Sequence, residues 1–204
     1  MKDFFTTLAP AIRQAVKDTM KKIRQEAGNE HIYAAALVTD SDCVTLFLAV
    51  NTEEALEKRD KKDRTEERLG YLAPYLSPEK LRQIADGTVS LNRWLPDEWD
   101  YSDGKDSGLN QVSKQLFDKE ASLSDTPGDE YDEVHERFQD LFLETVIEVF
   151  QELREEGVFG PEVTCFVSMS DDDRAEEIED DSARRLNTRE QYEQFRTWKE
   201  RFNG

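Results

Sequence analysis

DEYDEVHERFQDLFLETVIEVFQELREE, residues 129–156, holds 28 residues without Pro or Gly and lies between Gly128 and Gly157. At about 3.6 residues per turn it spells a helix of seven or so turns, punctuated at both ends. Val134, Phe138, Leu141, Phe142, Thr145, Val149 and Leu153 recur at three- and four-residue steps and form one apolar stripe. Leu143, Ile147 and Phe150 fall on another side. A helix apolar around most of its girth is buried against two neighbours, so this stretch predicts a layered fold. What remains is a band of acids. Asp132, Glu136, Asp140, Glu144, Glu148 and Glu152 step by four, so neighbours repel by a few tenths of a kcal/mol each. Glu152, Glu155 and Glu156 also stand at the end where the helix dipole disfavours negative charge. Either this band is solvated or something basic lies against it.

The first neighbour is residues 3–27, where Phe4, Leu8, Ile12, Val16, Met20 and Ile23 line one helical face. Pro10 sets the expected start of the regular helix at Thr7. Arg13, Lys17, Lys21, Lys22 and Arg24 make this the most basic helix and the natural internal partner of the acidic one. The second neighbour is HIYAAALV (31–38) with CVTLFLAV (43–50), two apolar runs joined by Thr39-Asp40-Ser41-Asp42. That pattern reads as a β-hairpin. Neither run alternates cleanly, which predicts a central pair covered on both faces. VTCFVSMS (163–170) is a further strand. The expected fold is therefore one α+β domain over 1–204: a small, mostly antiparallel sheet packed by long amphipathic helices.

Between these elements, Thr52 is a helix cap, and EKRDKKDRTEER (57–68), almost without apolar residues, is expected to be solvated and mobile. Ser77-Pro78 starts a helix that stops at Gly87, and TVSLNRW (88–94) predicts a short strand. Residues 109–120 predict a helix with Leu109, Val112, Leu116 and Phe117 inward, between loops at 102–108 and 122–129. Residues 171–181, DDDRAEEIEDD, are a charge run. Thr188 and Gln191 form a capping box for a last helix with Tyr192, Phe195 and Phe202 on one face and Trp198 beside them.

The chain of 204 residues is 37% apolar, with 11 Phe, 6 Tyr and 3 Trp, enough for a core. Its 46 acids against 27 bases leave a net charge of -19. That balance argues against nucleic acid or anionic membrane as partner and favours fast association with a basic protein. No run approaches the roughly 20 apolar residues of a membrane helix, and the N-terminus has no signal-peptide core. Two cysteines, Cys43 and Cys165, sit in apolar runs without zinc spacing, as buried reduced thiols of a cytoplasmic protein would.

Chemistry is harder to find. Only His31 and His135 are present, and no nucleophile elbow, phosphate loop or dinucleotide fingerprint occurs. Asp40 with Asp42, Asp171 to Asp173 and Glu176 to Asp181 are acidic clusters without calcium-loop spacing. We therefore expect no catalytic residue, no metal and no cofactor. Trp94, Trp99 and Tyr101 crowd around Pro96, either as a binding platform or as an anchor that pins the turn to the core, the anchor being the commoner use. The order of helix, hairpin, the segment RWLPDEWDY (93–101), late strand and terminal aromatic helix resembles a bacterial family known only as a domain of unknown function. Families of this kind occur near polymorphic toxin and type VI secretion loci as immunity-protein candidates. The resemblance implies a fold and a setting, and carries no catalytic residues.

Together these features predict a non-catalytic cytoplasmic binding protein, an immunity protein that covers the surface of a toxin or other basic partner. Its contact residues would be drawn from Glu144, Glu148, Asp171, Asp172, Asp173, Glu176, Trp94 and Trp99. The alternatives are a metal-dependent enzyme with a site built from scattered carboxylates, or an interaction module with no toxin involved.

Overall fold

Seven consecutive buried residues, Tyr33 to Thr39, run through β1 (Ile32–Asp40), and the chain is layered on both sides of them. The computed structural model describes residues 1–104, 106–123 and 126–203, without the side chains of residues 129 and 199–203. The aromatic role expected of Phe202, and parts of the loops expected at 102–108 and 122–129, thus lie outside the described residues. β1 pairs antiparallel with β2 (Phe47–Thr52), and β2 with the two-residue β3 (Tyr101–Ser102). On its other side β1 pairs parallel with β4 (Thr164–Ser170), giving the order β3-β2-β1-β4. The fold is α+β, but the sheet is mixed rather than mostly antiparallel. β4 returns after a long helical crossover, the connection that a parallel neighbour requires and a hairpin cannot supply.

Strand alternation splits the core in two. Ala35, Leu37, Leu48, Val50, Cys165 and Val167 face α1 (Lys2–Ala27), α5 (Gly108–Ala121) and α6 (Gly128–Glu155). Ala34, Ala36, Ala49 and Phe166 face the opposite way. They meet Leu56 of α2 (Glu53–Asp63), Trp94, Trp99, Ala183 of α7 (Ala175–Leu186) and Phe195 of α8 (Arg189–Asn203). Small alanines on β1 leave room there for large rings. Trp94 meets Tyr33, Phe166 and Phe195 edge-on at 5.7, 6.2 and 5.2 Å. Between the helices, an added Cβ on Gly108 would stand 2.9 Å from that of Ala15, so α1 and α5 approach at a point only glycine allows.

Side chains close both edges of the sheet. On β4, the Cys165 N–H donates to Asn187 Oδ1 at 2.8 Å and Asn187 Nδ2 donates to the Cys165 carbonyl at 2.6 Å, an amide standing in for a fifth strand. Two residues on, Ser182 Oγ accepts from Val167 N–H at 2.9 Å and donates to its carbonyl at 3.3 Å. On β2, beyond the two residues of β3, Asp103 takes Leu48 N–H at 2.9 Å, and Ser113 takes the N–H of Leu46, just before the strand, at 2.9 Å. Unpaired edge groups would otherwise template pairing with another chain.

Several local expectations give way to tertiary contacts. Helix α1 begins at Lys2, ahead of Thr7, because burial of Phe5 against Phe138 and Phe142 holds the turn before Pro10. Residues 43–46 are a loop: Cys43 has φ +57, Asp40 Oδ1 accepts from Val44 N–H, and Thr39 donates to the Thr45 carbonyl. Residues 88–94 form no strand. Ser90 and Asn92 are tied instead to Asp60 and Asp63 of α2, with Asn92 Nδ2 2.6 Å from Asp63. Those two aspartates are buried, so the segment expected to be solvated carries an internal polar anchor. The charge run 171–181 leads into α7, and Phe117 is 59% exposed rather than inward. Two short helices, α3 (Glu66–Leu72) and α4 (Pro78–Ala85), and a single 3-10 turn at Pro96–Glu98 complete the described elements, and α4 starts on Ser77 and stops at Gly87 as expected.

Candidate protein-binding face

The two acidic segments, separated by a strand in sequence, become neighbours in space. α6 buries Phe138, Phe142, Val146, Phe150 and Leu153, which turns the acids at 132, 136, 140, 144 and 148 outward. α7 lies along the β4 edge because Ser182, Ala183 and Leu186 are buried there, with Ile178 packed partly under it. Between α6 and α7 runs an open groove of about 330 Å³. Leu143, Ile147 and Ile178 line its apolar part, and Asp140, Glu144, Glu177, Asp181, Arg174 and Arg185 supply its charge.

Internal arginines occupy part of the band. Arg185 forks onto Glu144 at 2.6 and 2.8 Å and reaches Asp181 at 3.6 Å. Those hydrogen bonds hold the Glu144 carboxyl below the usual range and push the Arg185 guanidinium up. Arg174 lies 4.0 Å from Asp140, donates to Gln139 Oε1 at 2.8 Å, and packs on Asp172, whose carboxyl it lowers. Asp172 also accepts the Arg174 backbone N–H at 2.7 Å, so it shapes the turn into α7. At the far end of α6, Arg13 and Lys17 pair with Glu156, and Arg13 with Glu152 at 3.2 Å. Among the described residues the cations of the basic helix thus pair with the band only at its last turn, through Arg13 and Lys17 rather than Lys21 and Arg24. Arg24 donates to the Val158 carbonyl instead.

The residues singled out by sequence therefore separate into groups. Glu144 and Asp172 are internally engaged at the α6–α7 groove. Asp171, in the left-handed region at φ +57, Asp173 and Glu176 are exposed around the start of α7. Glu148 lines a different groove, between α1 and α6. Asp132, Glu136, Glu148, Asp171, Asp173 and Glu177 make no ion pair among the described residues. Trp94 and Trp99 lie on the opposite side of the sheet at 5% and 8% exposure, as anchors of the turn, and offer a partner almost no surface. Sequence reading missed Arg174 and Arg185. The signal was Ile178, Ser182 and Leu186 at steps of four, which places a helix at α7 and its terminal arginines within reach of α6.

Groups of chemical interest lie elsewhere. Burial pushes the Cys165 thiol up to about 11 and the Cys43 thiol higher than its usual value. His31 is exposed beside β1, while His135 stacks on Tyr131 and stands 3.8 Å from Glu120. Among the described residues, no three His, Cys, Asp or Glu side chains converge to hold a metal ion. None of the described helices is long and apolar enough to cross a membrane.

Compared with known proteins, residues 12–188 match the profile of a family described as a domain of unknown function, DUF4303. The chain belongs to that family, and the match takes in the whole sheet together with α6 and α7. No curated protein and no solved structure matches it.

Proposed function

We propose that this DUF4303 protein is a non-catalytic binding protein that docks a basic protein partner on the acidic surface of α6, α7 and the turn between β4 and α7. The observation that carries the reading is the convergence of two acidic segments on neighbouring elements, with Glu148, Asp171, Asp173 and Glu177 making no ion pair among the described residues. Leaving like charges together costs stability and serves no packing purpose, whereas it speeds encounter with a cationic surface. Inhibition by covering a surface needs no chemistry, which suits buried thiols and two histidines far from any nucleophile arrangement. In the setting that the sequence resemblance implies, the protein is a bacterial immunity protein acting in the cytoplasm on a toxin encoded beside it. The test is co-expression with the product of the adjacent gene. Neutralisation and complex formation that fall steeply with salt, and weaken when Glu148, Asp173 and Glu177 are changed to Lys, support the proposal. An adjacent product that is not bound, or is bound with no response to salt or to these changes, overturns it.

A further inference from the structure

The groove between α6 and α7 has an aliphatic base as well as a charged rim. Leu143 and Ile147 lie on the side of α6 that its main apolar stripe leaves over, and in the fold they turn toward α7. Thr145, Glu148 and Val149 take the other side, toward α1. A second apolar side on a helix calls for a second neighbour. Among the described residues that line the groove, α7 meets this side with one aliphatic side chain, Ile178, which is itself partly exposed. The groove of about 330 Å³ therefore stays open above its base. From Asp140 to Ile147 it follows α6 for about 10 Å, or two turns at about 1.5 Å per residue.

The lining itself identifies the occupant. Asp140, Glu144, Glu177 and Asp181 stand on the rim against Arg174 and Arg185, four carboxylates against two guanidinium groups. Both arginines are committed, Arg185 to Glu144 and Asp181 and Arg174 to Asp172. Asp140 has Arg174 only at 4.0 Å, and exposed Glu177 makes no ion pair among the described residues. Arg185 displays the chemistry the rim accepts, a guanidinium forked onto a carboxylate at the edge of an aliphatic base. Two turns of aliphatic surface bordered by spare acids complement one face of a basic helix, whose side chains recur at three- and four-residue steps. We propose, resting on the acidic docking face described above, that this groove receives a basic amphipathic helix of the partner. Its aliphatic residues seat on Leu143, Ile147 and Ile178, and its Lys or Arg residues meet Glu177 and Asp140. Charge alone would accept any cation, whereas the aliphatic base selects for helical spacing.

Fluorescence anisotropy of the full chain with three labelled peptides of about 14 residues, roughly four helical turns, tests this. One carries Leu and Lys at helical spacing, one has the same composition in strict alternation, and one is oligolysine. At about 0.15 M salt the helically spaced peptide should bind at least about tenfold tighter than the other two, the gain expected from burying an aliphatic side chain. Ile178→Ser should remove that advantage and leave oligolysine binding unchanged. Glu177→Lys, at an exposed position, should weaken both. The wild-type protein gives a further measurement that does not depend on any variant folding. At about 0.5 M salt oligolysine binding should vanish, while the helically spaced peptide keeps measurable affinity, because screening removes the charge attraction and spares the apolar contact. If the alternating peptide or oligolysine binds as tightly as the helically spaced one, or Ile178→Ser leaves all three unchanged, the groove proposal is overturned while the acidic docking face stands. If none of the three binds, the groove proposal falls, and the product of the adjacent gene still decides the docking face separately.

Discussion

Trp94 and Trp99 stand in the same aromatic cluster but differ in one atom's environment. The Trp99 Nε1–H donates to the Asn92 carbonyl at 3.1 Å. The Trp94 Nε1 is buried and has no partner among the described residues. Changing either to Phe removes similar ring volume from a site of similar burial, 8% and 5% exposed. On packing alone Trp94→Phe should be the worse, because Trp94 touches three rings edge-on and Trp99 two. Hydrogen bonding runs the other way. Trp99→Phe removes one of two hydrogen bonds to the Asn92 carbonyl, which Leu95 N–H also reaches at 3.3 Å, at about 0.5–1.5 kcal/mol, whereas Trp94→Phe removes a donor that has no partner among the described residues. We therefore expect Trp99→Phe to be the more destabilising by about 1 kcal/mol. At about 2–4 °C per kcal/mol for a chain of this size, the two melting temperatures should differ by about 2–4 °C. Urea titrations of the wild type and the two variants measure this directly. A Trp94→Phe protein as unstable as Trp99→Phe, or more so, would refute the reasoning and show that ring packing outweighs the indole hydrogen bond.

Asn187→Asp keeps an acceptor for Cys165 N–H but aims a carboxylate oxygen at the carbonyls of Cys165 and Ala183, so a loss of about 2 kcal/mol or more is expected by chemical denaturation. Glu144→Gln should cost at most about 1 kcal/mol at pH 7, because the Glu144 side chain is 49% exposed. The folded carboxyl lies below its unfolded value, so this contribution is complete above about pH 5 and fades as pH falls through the lower folded value. Melts at pH 7 and near pH 3 should show the difference between wild type and variant disappear in acid. Leu48 is fully buried and Phe47 only partly, so Leu48→Asp should fail to fold, while Phe47→Asp should still melt cooperatively at lower temperature.

Periodicity alone carries the long elements of this protein. Residues 129–156 and the stretch up to Ala27 are helices because their apolar residues repeat at helical steps over many turns, and no partner is needed to see it. The hairpin runs and the 163–170 strand are legible as short apolar, β-rich runs bounded by turn residues, and the caps at Thr52, Ser77 and Thr188 because a single side chain satisfies a local donor. Direction and partnership are different. Whether β4 lies parallel or antiparallel to β1 depends on which side of the sheet a distant segment re-enters, and nothing within its seven residues records that. Residues 88–94 have strand-like composition, yet Asp60 and Asp63 claim their polar groups through contacts some 30 residues away. The acid band was visible as unfavourable locally. Only the fold could show that Arg185 of α7 and Arg174 just before it neutralise its middle, that Arg13 and Lys17 neutralise its end, and that Glu148, Asp171 and Asp173 make no ion pair among the described residues. Charge pairing acts over a few ångströms in space, and that distance is set by tertiary packing rather than by spacing along the chain.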